Sequence, residues 1–164
     1  MSDITWAHLD KQKVGKFGEY FAKMALVRAG LDVYSPEVDD RSIDAIVRLP
    51  GLLGAQPRYL DLQVKAARIG SNNYIYVKKR LFPMREDAFI AIVVFKEGSE
   101  PDFFLIPLKT WETPAPPFSS PNYENKKSEP EWGLSIGKNY ELHLARFAFA
   151  TIVEDLKNGI WPQY

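Results

Sequence analysis

The sequence predicts one α/β domain, and three observations carry that prediction. An amphipathic helical pattern opens the chain, a strictly alternating stretch runs from Tyr59 to Ala67, and an unbroken apolar run from Ala88 to Phe95 reads as a strand covered on both faces. The 164 residues, 46% hydrophobic, 13% aromatic and 26% charged, fit a single globular unit over 1–164 rather than two.

From Lys11 to Ala29 the residues Val14, Phe17, Phe21, Met24 and Ala25 recur at helical spacing, and Gly30 is placed to end the helix. Gly15, Gly18, Ala22 and Ala29 form a second strip of small residues that lets a backbone approach a sheet closely. Leu31–Ser35 reads as a short strand and Ile43–Leu49 as a second, joined through Pro36 and an acidic turn that includes Asp39 and Asp40. The third strand, Tyr59–Ala67, puts Leu60, Leu62, Val64 and Ala66 on one face and Asp61, Gln63 and Lys65 on the other. Gly70, Ser71, Asn72 and Asn73 supply a turn before Tyr74–Val77, which is expected to continue the sheet as a hairpin.

A short helix is expected within Lys79–Asp87, then the apolar strand Ala88–Phe95 with Phe103–Leu108 as its antiparallel neighbour. Five prolines among polar residues make about 113–131 a long irregular loop that joins no ladder. Leu144, Phe147, Ala148, Ile152 and Leu156 predict one closing helix over about 140–158, stopped by Gly159. Trp111, Trp132 and Trp161 are expected to cover the core, and His8 and His143 to be structural or exposed.

Composition excludes several chemistries. The chain has no cysteine and two histidines, so thiolate and histidine-rich metal sites and a cysteine nucleophile are ruled out, leaving carboxylate metal chemistry. Twenty-one basic and 21 acidic side chains cancel, so a polyanionic partner needs a local patch. The opening residues lack the apolar core of a signal peptide and no apolar run approaches the ~20 residues of a membrane span, so a cytoplasmic protein is expected.

Four polar residues lack a packing reason for their positions: Glu19 on the helix, Asp44 in the second strand, and Gln63 and Lys65 on the third. Pairing of the second and third strands brings Asp44 beside Gln63 and Lys65. Glu19 at the edge of the small-residue strip either points past the sheet's end toward this group or is a solvated helix glutamate. Such a set suits phosphodiester hydrolysis: oxygen ligands hold Mg²⁺ or Mn²⁺, the metal lowers the pKa of a bound water, and the lysine orients that water or offsets charge developing at phosphorus. Asp61 reads as a solvated flanking residue, as do Asp39 and Asp40 in their turn.

Gly15-x-x-Gly18-Glu19-Tyr20 on the first helix, Ser42-Ile43-Asp44 opening a strand and Gln63-Val64-Lys65 on the next resemble the PD-(D/E)XK nuclease superfamily in its variant with glutamine in the third motif. The resemblance covers roughly Lys11 to Phe95. It implies a restriction-endonuclease-like αβββαβ core, a central mixed sheet flanked by helices, here within about 11–108 and followed by an extra C-terminal helix. It further implies Asp44 as principal metal ligand, Gln63 as a second oxygen donor, Lys65 as catalytic lysine, and Glu19 supporting the metal or its water.

Arg68, Lys78, Lys79 and Arg80, with Tyr74 and Tyr76 interleaved, make Lys65–Asp87 the most basic stretch. It reads either as a nucleic-acid contact beside the site or as a solvated hairpin. The expected function is a Mg²⁺- or Mn²⁺-dependent DNA endonuclease, double-stranded DNA being implied by the resemblance, in a homodimer or larger assembly because two strands need two sites. The rival from another class is an inactive nuclease-like module that binds nucleic acid or protein; loss of function on substituting Asp44 separates the two.

Overall fold

The computed structural model describes residues 4–38, 41–70 and 73–163. Asp39 and Asp40, and Ser71 and Asn72 of the expected turn, lie outside the described residues.

The first helix, α1 (Lys11–Arg28), starts at Asp10, whose side chain accepts from the Lys13 amide at 2.9 Å. It ends at Gly30, which takes the left-handed conformation. Its buried seam is Val14, Gly18, Ala22 and Leu26, so Gly18 and Ala22 of the small-residue strip meet the sheet, and of the expected apolar strip only Val14 is buried. A Cβ on Gly18 would lie 2.6 Å from that of Ala66, and this close approach of backbone to sheet leaves Met24 61% exposed. Gly15 has nothing within 4 Å of its own virtual Cβ and takes no part in the seam.

Five strands, β1 (Asp32–Tyr34), β2 (Ala45–Leu49), β3 (Arg58–Arg68), β5 (Ala88–Phe95) and β6 (Asp102–Pro107), form a sheet in the order β1-β2-β3-β5-β6. Only β3 and β5 run parallel, so the sheet is mixed. The strand β4 (Tyr74–Lys78) does not extend it as expected. It leaves to join a three-stranded sheet, β4-β8-β7, with β7 (Phe118–Ser119) and β8 (Glu131–Ser135). The expected helix over Lys79–Asp87 is replaced by turns: Pro83 offers no amide, and the fully buried Phe82 plugs the core while its carbonyl accepts from Trp132 Nε1 at 2.9 Å. The parallel β3–β5 crossover therefore passes through the small sheet.

Strand β5 separates two cores by simple alternation. Phe89, Ala91, Val93 and Phe95 face α1 and the C-terminal helix, while Ala88, Ile90, Ile92 and Val94 face the small sheet. The expected single closing helix is broken into α2 (Tyr140–Leu144), a 3₁₀ turn (Ala145–Phe147) and α3 (Phe149–Lys157). Ala148 is extended and bridges Phe104 of β6, so the chain rounds the sheet edge there: Leu144 and Phe147 pack on one face, Ile152, Val153 and Leu156 on the other. The proline-rich segment also departs from expectation, because Phe118 and Ser119 pair with Leu134 and Gly133. Its prolines flank that ladder rather than occupy it. Trp111 and Trp132 are buried as expected, and His8 and His143 are exposed.

Among the described residues no helix is long and apolar enough to cross a membrane.

Candidate active site

Ser42, in the left-handed region at φ 54°, turns the chain into β2, and the Asp44 amide donates to the Leu62 carbonyl at 2.8 Å. One step beyond the Ala45–Leu62 pair, Asp44 therefore comes beside Gln63. Its Oδ2 accepts from Gln63 Nε2 and from the Val64 backbone amide, each at 2.7 Å. Gln63 is only 6% exposed. A carboxylate can only accept, so the Gln63 amide must turn its nitrogen to Asp44, and Oε1 is left buried without a hydrogen-bond partner. A buried carbonyl oxygen in that state costs about 1–3 kcal/mol unless a donor or a cation meets it.

Gln63 and Lys65 pair with Ile90 and Ile92 of β5, whose side chains face the small sheet, so both point to that side. With Ser42 and Lys11 they line a cavity of about 340 Å³, whose opposite wall is β4 with Tyr74 and Tyr76. Of the expected trio, Gln63 and Lys65 of β3 line this cavity, and Asp44, at the entry to β2, is joined to it through its hydrogen bond with Gln63. Glu19 stands off it. Its Oε2 is bound by Lys16 Nζ at 2.6 Å; the Glu19 hydrogen bond and charge, and more weakly Tyr20 and Asp44, hold the Lys16 ammonium above the ordinary lysine pKa. Among the described residues no group of three Asp, Glu, His or Cys side chains is placed to hold a metal. The available donors are Asp44 and the Gln63 oxygen, a sparse set that suits an ion keeping several waters, as Mg²⁺ does.

The residues expected to hold nucleic acid have protein partners. Arg68 Nη1 donates to the carbonyls of Trp6, Ala7 and Leu9 at 2.8, 2.9 and 3.1 Å, pinning the segment before α1. Lys78 and Arg80 both hold Glu129, at 2.7 and 2.9 Å. Lys79 donates to Asn122 Oδ1 at 2.7 Å and lies 4.5 Å from the Trp132 ring, and its burial pushes the ammonium's pKa down. Lys78, Lys79 and Arg80 clamp the proline-rich loop, a role that sequence reading missed although Glu129 beside Pro130 was its visible complement. Asp61 is held by Arg85, which also contacts Asp87 at 3.2 Å, in line with a structural role.

A wider cavity of about 660 Å³ lies between α1 and α3, floored by Phe21, Phe103, Phe149 and Val153. It holds none of the Asp44, Gln63 and Lys65 chemistry.

By its own geometry the chain is a mixed α/β domain with a helix and two antiparallel strands leading into a parallel strand pair, an acid standing at the entry to the second strand and an amide and a lysine on the third. It is similar to the solved structure of Hjc, a Holliday junction resolvase from the archaeal hyperthermophile Archaeoglobus fulgidus, with 13% identity, 85% of this chain and 95% of that one covered, and a TM-score of 0.48. It is also similar to a bacterial homing endonuclease, with 14% identity, 84% and 94% covered, and a TM-score of 0.43. No protein-family model and no curated protein matches the chain.

Proposed function

We propose that this chain is a divalent-metal-dependent DNA endonuclease of the PD-(D/E)XK type with glutamine in its third motif. One observation carries the reading: Asp44 fixes the Gln63 amide and leaves its oxygen buried without a partner, in a residue that lines the same cavity as Lys65. Asp44 and Gln63 would hold Mg²⁺ or Mn²⁺, which when bound neutralises phosphate charge and lowers the pKa of a coordinated water. The chain's own residues do the rest. The Val64 amide and the Gln63 side chain hold the Asp44 carboxylate in one orientation, so the donors are set before substrate arrives. Lys65 supplies an ammonium at the cavity for a phosphate oxygen or the attacking water, and Glu19 acts at one remove through Lys16.

A second reading has its own observation. Two protein donors already occupy Asp44 Oδ2 and Lys16 occupies Glu19, which suits a binding module without catalysis.

Cleavage of supercoiled plasmid and of duplex, single-stranded and branched DNA with Mg²⁺, Mn²⁺ or EDTA separates the two. Metal-dependent cutting, lost in folded Asp44→Ala and Lys65→Ala, is the expected result. No cutting of any substrate together with no Mn²⁺ uptake by calorimetry would sink the catalytic reading.

A further inference from the structure

We propose that Tyr76, stacked on Tyr74, is a platform for the base of an unpaired nucleotide beside Lys65, so that the preferred nucleic acid carries an unpaired or extruded base at the site. The inference rests on the nuclease reading for its place in a reaction and on β4 for its chemistry. Residues 74 and 76 share one face of the strand, while Ile75 and Val77 on the other are buried in the core. The two rings stack at 24° with centroids 6.4 Å apart. The inner ring is immobilised: the Tyr74 hydroxyl donates to Glu131 Oε1 at 2.7 Å and sits over Gly133, where a Cβ would lie 2.1 Å from it. The outer ring, Tyr76, is 49% exposed.

A single exposed tyrosine is ordinary. This one stands between two cavities, the 340 Å³ one shared with Gln63 and Lys65 and a second of about 550 Å³ lined by Lys127, Ser128 and Glu129. Lys65 lines the first cavity and Lys127 the second, with Tyr74 and Tyr76 lining both; the Glu129 charge is paired with Lys78 and Arg80, and Glu131 accepts from the Tyr74 and Tyr123 hydroxyls. Aromatic faces interleaved with ammonium groups are what a single strand binds, bases on rings and phosphates on cations. A paired base cannot use such a site, because its faces are covered by its neighbours in the duplex. A cavity of about 340 Å³ has the scale of one small ligand, not of a double helix.

The test uses a duplex, and the same duplex with one unpaired 2-aminopurine nucleotide, with binding followed by anisotropy and stacking by 2-aminopurine fluorescence in Ca²⁺. The wild type should bind the unpaired substrate about tenfold or more tightly and quench its fluorescence. Tyr76→Ala should lose both effects, while Tyr76→Phe and Tyr76→Trp keep them. Equal affinity for the two DNAs, or a preference that survives in Tyr76→Ala, overturns the platform. The outcome of the parallel cleavage assay is independent of it: metal-dependent cutting without the preference leaves the nuclease reading standing and removes the platform, whereas a Tyr76-dependent preference without any cutting keeps the platform and removes the nuclease.

Discussion

At Gln63 an amide stands where a second carboxylate would give a cation site another negative charge, and the consequences can be measured. Gln63→Glu should bind Mn²⁺ more tightly than the wild type in calorimetry, because it adds a charge at a buried oxygen that has no partner within the protein. Without metal the same variant should melt lower, since two carboxylates then share a half-buried site and the Gln63 donor to Asp44 is gone. Metal should therefore raise its melting temperature more than that of the wild type; equal shifts would show that position 63 does not face the ion. Asp44→Ala removes the acceptor of two hydrogen bonds and should cost about 1–3 kcal/mol in urea unfolding besides activity. Lys65→Ala removes neither and should stay within about 1 kcal/mol of the wild type. These residues were legible in the sequence because Gln63 and Lys65 form the polar face of an alternating strand and Asp44 interrupts an apolar one. What the sequence concealed was that Glu19 is held by Lys16 and not by the site itself, and the capture of the four basic residues after Lys65 by partners distant in the chain.

Helix α1 shows how an element can be read correctly and its buried face wrongly. Its limits follow from Asp10 and Gly30, but larger apolar side chains on one strip suggested a core face that the structure leaves half outside. Close backbone approach decided the matter, and it is testable. Gly18→Ala should destabilise by about 1–3 kcal/mol through the clash with Ala66, in spite of alanine's better helix propensity. Adding Ala66→Gly should recover part of that loss, giving a double variant less destabilised than the sum of the singles. The proline-rich loop offers a second case, since its hold on β8 runs through Tyr123, whose hydroxyl donates to Glu131 at 2.7 Å. That bond, with burial and the Glu131 charge behind it, raises the Tyr123 pKa from the ordinary 10.0 to about 12. A pKa raised on folding means the neutral phenol is the stabilising form, so its contribution is complete below pH 10 and fades as pH rises to about 12. The stability gap between wild type and Tyr123→Phe should accordingly be constant at neutral pH and close over that window. A gap unchanged at pH 12 would place the loop's attachment elsewhere.

Across the whole molecule, local pattern foretold the strands of the main sheet and β4, but not β7 or β8, and it failed on where β4 goes. Alternation placed β3 closely, and apolar runs placed β2, β5 and β6, yet nothing within Tyr74–Lys78 says that it abandons the main sheet for β8, a partner more than fifty residues on. The closing helix failed for a related reason: its apolar spacing is continuous, but its two halves serve opposite faces of one sheet. That arrangement bears on function through the number of sites, because each chain carries one cavity with one Lys65. If the chain is a nuclease that severs duplex DNA, two chains must act together, and a symmetric pair is the economical solution. Sedimentation with DNA bound should then show a species holding two copies of the 18.7 kDa chain. Mixing wild type with excess Lys65→Ala should produce pairs with one competent site, which turn supercoiled plasmid into nicked circles and stop there, while the wild type alone proceeds to linear DNA. Single chains on DNA at every concentration, with linear product reached in the mixture as readily as with wild type, would mean that each site works alone and strands are cut in independent encounters.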